Sequence, residues 1–191
     1  ISEMWGGCSM RTDFNSRKYA TFVKESFKIE GIDLNLEQLQ YQCDNLGNFL
    51  QTPLSLNSLW SYVEGLYNGK GNPIKLRNVF GRNVRVGDYV APPGGVALEE
   101  VLIGFLKYVS EDGYTPFWAY NIYEHLHPFT DGNGRSGRAI WLYICKTLYH
   151  PDTFMEILEK GFLYMYHYEA IQSHEATCVS IIAKDMTNVK K

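Results

Sequence analysis

Long apolar runs and basic excess are both missing from this chain of 191 residues. A membrane-spanning helix needs about 20 consecutive apolar residues, and no stretch here reads as one. The formal net charge is −3. A general nucleic-acid binder would show a basic stripe, so nucleic acid is not the expected partner. Cysteine is sparse: Cys8, Cys43, Cys145 and Cys178 are scattered, and no two have zinc-ligand spacing. A chain of this size builds a core without disulfides, so reduced thiols and a cytoplasmic location are the expectation. Internal repeats, low-complexity tracts and linker-like stretches are also lacking, which favours one domain over residues 1–191. What is present is apolar and aromatic: hydrophobic residues make up 45% and aromatic residues 15%. That composition calls for a packed core rather than disorder.

Hydrophobic periodicity predicts helices along most of the chain. The first spans about 16–30, with Tyr19, Phe22, Val23 and Phe27 on one face, and stops at Gly31. A second starts near Asn35 with Leu36, Leu39 and Leu46 inward. Ser55 caps a third that carries Leu59, Trp60 and Val63. Leu98, Leu102, Phe105 and Val109 mark a fourth. Thr115-Pro116 opens a fifth, which runs into His127. Another contains Ile140, Trp141, Ile144 and Leu148, and a last region from Phe154 into Ala183 is broken near Gly161. Between these helices, residues 79–90 are rich in β-formers interrupted by Gly81 and Gly87, which predicts a short hairpin or flap. The fold class is therefore all-α, a helical bundle with a small β-hairpin.

The chemistry concentrates in His127-Pro128-Phe129-Thr130-Asp131-Gly132-Asn133-Gly134-Arg135-Ser136-Gly137-Arg138. A histidine titrates near pH ~6.5 and suits a general base. Asp131 offers a carboxylate to Mg²⁺, which usually takes one or two carboxylates together with substrate phosphates. A glycine-rich turn that feeds a helix start presents free N–H groups to an anion. Arg135 and Arg138 supply forked donors, yet cations near a helix N-terminus are unfavourable by themselves. They call for an anion, either a phosphate or a protein carboxylate. Taken singly, the histidine reads as a packed or capping residue and Asp-Gly-Asn-Gly as a surface turn. Together, in this order, they point to phosphoryl-group chemistry.

The string His-Pro-Phe-x-Asp-Gly-Asn-Gly-Arg-x-x-Arg resembles the signature of Fic-domain proteins, most of which are protein adenylyltransferases. The resemblance implies the Fic fold, with His127 as general base for a target hydroxyl and Asp131 as the Mg²⁺ ligand between the phosphates of ATP. It implies that Gly132, Asn133, Gly134 and Arg135 bind phosphate, and that Arg138 grips the γ-phosphate. Phe129 would anchor the loop. Residues 79–90 resemble the family's flap, which pairs with an extended segment of the target by strand addition. Phe80, Arg82, Val84 and Val86 are then the docking candidates, against the alternative of a purely structural hairpin. Tyr168 and Ile171 resemble an adenine-pocket stretch, against the alternative of an aromatic-rich core helix. His125 lies two residues from His127 and diverges from it on a helix, so it reads as structural or exposed.

Ser26-Phe27-Lys28-Ile29-Glu30-Gly31 resembles the inhibitory pattern of self-inhibited members. Elementary electrostatics singles out Glu30 as well. A carboxylate in the last helical turn faces the unfavourable end of the helix dipole, just as the arginines do at the start of theirs. The expectation is that Glu30 pairs with Arg138 in the γ-phosphate's seat, that Ser26 steadies its helix end by bonding nearby backbone, and that Gly31 supplies the stop. The resemblance thus implies a self-inhibited enzyme that moves AMP from MgATP to a Ser, Thr or Tyr hydroxyl of a protein, which includes this chain itself. Gly134 stands where kinase-type relatives carry Lys, which favours AMP transfer. Two alternatives remain: removal of AMP in the same site, with Glu30 positioning water, and a nucleotide-sensing module without chemistry. Assembly into a homo-oligomer is compatible with the family, although no residue pattern in the chain calls for it.

Overall fold

The helix α6 (Asn133–Leu148) is buried around most of its circumference, with Ala139, Ile140, Trp141, Leu142 and Cys145 fully buried, and the other elements surround it. The computed structural model describes residues 16–67, 71–111 and 114–167. A short 3-10 turn at Ser16–Tyr19 leads into α1 (Ala20–Ile29), followed by α2 (Leu36–Gln51) and α3 (Leu56–Gly65). A hairpin of β1 (Arg85–Val86) and β2 (Tyr89–Val90) precedes α4 (Val96–Ser110), α5 (Pro116–Leu126), α6 and α7 (Pro151–Lys160). Residues 162–167 are helical as well. Helix α5 runs back along α6, and the pair is tied by a buried hydrogen bond between the hydroxyls of Tyr123 and Ser136 at 2.7 Å.

Local chemistry sets the helix starts. Asn35 and Ser55 each accept from the backbone N–H three residues on and receive a reciprocal bond, so both are capping boxes. Thr115 caps α5 with Pro116 at its first position, and His150 with Pro151 does the same for α7. Three expectations shift. Helix α6 begins at Asn133, ahead of its first apolar residues, because a glycine in left-handed conformation at Gly132 starts it. Leu36, expected inward, is exposed, while Leu39 and Leu46 are buried. Helix α7 starts at Pro151, three residues before Phe154, and stops at Gly161, where the break was expected; the part of that region beyond residue 167 lies outside the described residues. Cys43 and Cys145 are buried in the core. No helix among the described residues is long and apolar enough to cross a membrane.

Candidate active site

The loop between α5 and α6 is held from both sides. Residues 75–77 pass it in the opposite direction: Leu76 and Phe129 form an isolated antiparallel bridge, Arg77 N–H donates to the Pro128 carbonyl at 2.8 Å, and Thr130 N–H donates to the Lys75 carbonyl at 2.9 Å. Phe129 is fully buried and stacks on Trp60 with ring centroids 5.5 Å apart. Asn133 closes the loop internally, accepting from Phe129 N–H and donating to Phe129 O, each at 2.9 Å. The Asn133 side chain thus ties the Phe129 backbone to the start of α6.

His127 is the C-cap of α5 and sits in left-handed conformation, φ 47 and ψ 56. Left-handed backbone is costly for a residue with a Cβ, and Arg77 supplies the compensation. The Arg77 guanidinium is fully buried, and its Nε donates to the His127 carbonyl at 2.7 Å. Its remaining donors reach the carbonyls of Leu126 (3.1 Å), Pro92 (2.8 Å) and Arg82 (3.3 Å). One side chain therefore ties the histidine's backbone to both ends of the hairpin segment. Sequence reasoning missed it, because one arginine after Ile74 and Leu76 looks like any solvated charge. Truncation by Arg77→Ala would strand these carbonyls, and a buried unsatisfied group costs about 1–3 kcal/mol. The expected loss is about 3 kcal/mol or more, read as a lowered urea midpoint with an unchanged m-value.

The His127 side chain is half-buried. Burial is the main reason its pKa falls below the usual histidine value, and the Arg77 charge adds to it. A hydrogen bond to the Glu124 backbone and the charges of Glu30 and Asp131 act in the opposite direction. The net result keeps the ring neutral, and therefore able to accept a proton, at neutral pH.

At the start of α6 no side chain among the described residues caps the helix. Its first N–H groups are left for an anion, at the positive end of the dipole. Asp131 is exposed, and its Oδ1 accepts from Gly132 N–H at 2.6 Å and lies 3.5 Å from Arg135 Nη2. No group of three or more His, Cys, Asp or Glu among the described residues could hold a metal. A lone exposed carboxylate beside an uncapped helix start fits Mg²⁺ that takes its other ligands from phosphates and water. Arg135 is buried over the Phe27 ring (5.2 Å), and its Nε has no partner among the described residues.

Arg138 is almost wholly buried, at 2% exposure, and reaches across to α1. Its Nε donates to Ser26 Oγ, and its Nη2 donates to Ser26 O and Glu30 Oε1, all at 2.8 Å. The Glu30 side chain is 37% exposed. Ser26 thus differs from its expected role: its hydroxyl accepts from Arg138 rather than bonding nearby backbone. The helix end is steadied by a Schellman turn instead, in which Gly31 N–H bonds Lys28 O and Ile32 N–H bonds Phe27 O. Gly31 has φ +71 with open space around it, so glycine is needed there for backbone conformation and not for room. Gly134 is the reverse case. A Cβ at that position would collide with Glu30 Oε1, so the carboxylate sits in the hollow that this glycine leaves.

The flap is smaller than the 79–90 stretch suggested. Two-residue strands pair antiparallel with Arg85 opposite Val90 and Val86 opposite Tyr89. Phe80 lies outside this pairing and is 93% exposed. Val86 is exposed, and Val84 is half-buried with its carbonyl accepting from Ala91 N–H. Arg82 is half-buried, and its Nη1 donates to the Leu76 carbonyl. Tyr89 anchors the hairpin on α5: its hydroxyl donates to His125 O at 2.8 Å, and its ring meets the His125 ring edge-on. His125 Nδ1 lies 2.7 Å from Asn121 O, a structural contact away from the loop. Tyr168 and Ile171 lie outside the described residues.

No protein-family model and no curated protein matches this chain. Solved structures do. The crystal structure of IbpAFic2 covalently tethered to Cdc42 aligns with a TM-score of 0.53 at 22% identity, over 68% of this chain and 47% of that one. IbpAFic2 in another crystal structure gives 0.48 at 20% identity, over 76% of this chain. A Fic family protein from Desulfovibrio desulfuricans G20 gives 0.47 at 17% identity, over 84% of this chain. This chain spans only 49% and 58% of the lengths of those last two. The first alignment carries the fold assignment. With a helical bundle around α6 and one two-stranded hairpin, the chain has the Fic fold.

Proposed function

We propose that this chain is a protein adenylyltransferase held in a self-inhibited state. It takes ATP and Mg²⁺ and transfers AMP to a Ser, Thr or Tyr hydroxyl of a protein docked on the flap. The observation that carries the reading is the arrangement around α6: a neutral half-buried histidine, an uncapped helix start, and a buried arginine whose anion is Glu30.

In this reaction His127 accepts the proton of the target hydroxyl while that oxygen forms a bond to the α-phosphorus. The bond from the α-phosphorus to the bridging oxygen breaks, and pyrophosphate leaves. The N–H groups of Asn133 and Gly134 hold phosphate oxygens, with Arg135 beside them, and the Gly132 N–H joins them once it leaves Asp131 Oδ1. Asp131 would hold Mg²⁺, which neutralises phosphate charge when bound. Arg138 holds the γ-phosphate once Glu30 has moved away. Glu30 lies over Gly134 in the space the β- and γ-phosphates require, so nucleotide and Glu30 compete. The docking edge is the exposed hairpin with Val86, flanked by Phe80 and Val84.

The test uses Glu30→Gly protein and MgATP labelled at the α- or the γ-phosphate. Adenylyl transfer puts α-label and no γ-label on protein. γ-Label on protein would mean phosphate transfer. Tight nucleotide binding without any label would identify a sensing module. Release of AMP from pre-modified protein, with no labelling, would identify the hydrolase. The pH profile adds a check. Protonated His127 cannot accept a proton, so the rate falls as pH drops through its pKa. Burial lowers that pKa, and the acid limb is expected below the ordinary value of about 6.5. An acid limb above pH 7 would assign the base elsewhere.

A further inference from the structure

Glu25 stands in the middle of α1, one residue before Ser26, and takes no part in the transfer reaction proposed for the loop. Its side chain is half-buried and meets the chain where α7 stops. Phe162 N–H donates to Glu25 Oε2 at 2.5 Å, and Leu163 N–H donates to Oε1 at 3.4 Å. A carboxylate that accepts from backbone N–H makes a charge-assisted bond, stronger than a neutral one. Gly161 makes room for it, since an added Cβ there would stand 2.6 Å from Glu25 Oε2. The same glycine has φ +84 and turns the chain from α7 into the helical stretch 162–167. Phe162 is buried, meets Trp141 edge-on at 5.2 Å, and lies under Arg138, whose guanidinium carbon is 5.9 Å from the ring centroid. From α1, Phe22 stacks on the same Trp141 at 6.3 Å.

Polar bonds thus reach α1 from two directions. Arg138 holds Ser26 and Glu30, which lie one turn apart on one face. Glu25 lies about 100° around the helix from Ser26 and is bonded to a different element. A helix held on one face can roll about its axis, and a roll would carry Ser26 and Glu30 off Arg138 together. The apolar packing of Phe22, Val23 and Phe27 is non-directional and tolerates a small roll. A hydrogen bond weakens steeply with misalignment, so a second one on another side resists it.

We propose that Glu25 is a positioning residue for self-inhibition: by gripping the N–H groups that follow Gly161, it fixes the rotation of α1 and keeps Glu30 over Gly134. This role rests on the reading of Glu30 as the nucleotide's competitor. It goes further in making the junction after α7 the second support of the inhibitory contact. When the grip is lost, Glu30 leaves Arg138 more often and nucleotide gains access.

The experiment has two arms. The MgATP Kd is measured for His127→Ala protein, in which turnover is suppressed, and for the same protein with Glu25→Ala, with Glu30→Gly, and with both. Glu25→Ala is expected to tighten the Kd about three- to tenfold while Glu30 is present, and to leave it nearly unchanged once Glu30 is glycine. An equal effect in both backgrounds, as a merely structural Glu25 would give, overturns the proposal, and so does no effect in the first. Glu25→Gln keeps the side chain's volume and one carbonyl acceptor, so a smaller shift of the same sign is expected. It carries the same comparison if Glu25→Ala fails to fold. The second arm needs no nucleotide. Solvent exchange of Arg138 Nε–H, which donates to Ser26 Oγ, is followed by NMR beside that of the Leu142 amide in the core of α6. Loss of the Glu25 carboxylate should speed exchange at Arg138 and not at Leu142. Unchanged exchange at Arg138, or an equal rise at both, overturns the proposal. If MgATP does not bind Glu30→Gly protein at all, the nucleotide-site reading fails, and the NMR arm still decides whether Glu25 holds α1 on Arg138.

Discussion

Glu30→Gly is expected to raise adenylyl transfer from MgATP about 10- to 100-fold over wild type. The size follows from the contact it removes. Glu30 Oε1 accepts from Arg138 Nη2 at 2.8 Å, with the arginine almost fully buried and the glutamate partly exposed. A hydrogen bond to a charged group contributes about 1.5–3 kcal/mol, and the exposed side of this pair discounts it toward the lower part of that range. Each 1.4 kcal/mol of bias toward the Glu30-occupied state costs the competing nucleotide about tenfold in apparent affinity. Glycine also empties the space over Gly134, where the carboxylate stands now. The measurement is α-label incorporation per unit time at fixed MgATP, together with the MgATP Kd. The gain should appear largely in Kd or KM, because the bond competes with binding and not with chemistry. Equal rates for wild type and Glu30→Gly would rule out inhibition by Glu30 while leaving transfer itself intact.

His127→Ala in the Glu30→Gly protein is expected to lower the transfer rate by about 10²–10⁴-fold, the usual contribution of a positioned general base. The fold should survive. The α5–α6 loop is held through the His127 carbonyl, by Arg77 Nε, and through its N–H, by Tyr123 O. Neither bond uses the imidazole. Alanine meets the same left-handed backbone that histidine already tolerates, so thermal unfolding should move little. Unchanged MgATP Kd with a collapsed rate would place the histidine in the chemical step. A rate loss under tenfold would mean that another group removes the proton. The contrast with Arg77→Ala is diagnostic: there stability falls first, and activity follows because the histidine's backbone is released.

How much of this site was legible before the fold depends on where each residue's partners lie. Asn35, Ser55 and Thr115 cap helices through bonds to N–H groups three residues on, and such local chemistry reads directly from the string. The Gly31 stop was legible for the same reason. Glu30 was visible as a carboxylate at the C-terminal end of its helix dipole, whereas α6 begins at Asn133 and puts Arg138 in the second turn, where the dipole argument no longer applies. The hairpin was overestimated. Its β-forming residues run from Val79, but Arg82 N–H bonds Val79 O in a turn, and only Arg85–Val86 and Tyr89–Val90 pair. Arg77 was invisible, since its acceptors at Arg82, Pro92, Leu126 and His127 converge only after folding.

The sequence by itself determined the all-α class, the helix starts capped at Asn35, Ser55 and Thr115, and the set of groups suited to phosphate chemistry between His127 and Arg138. Those are matters of periodicity, capping and residue type, which act over a turn or two of chain. Only the tertiary structure decided what each group is committed to. Asn133 went to the Phe129 backbone, Ser26 to Arg138, and Arg82 to the Leu76 carbonyl. A buried polar group bonds to whatever the packed core brings within about 3 Å. For Arg138 that neighbour is 108 residues away in the chain.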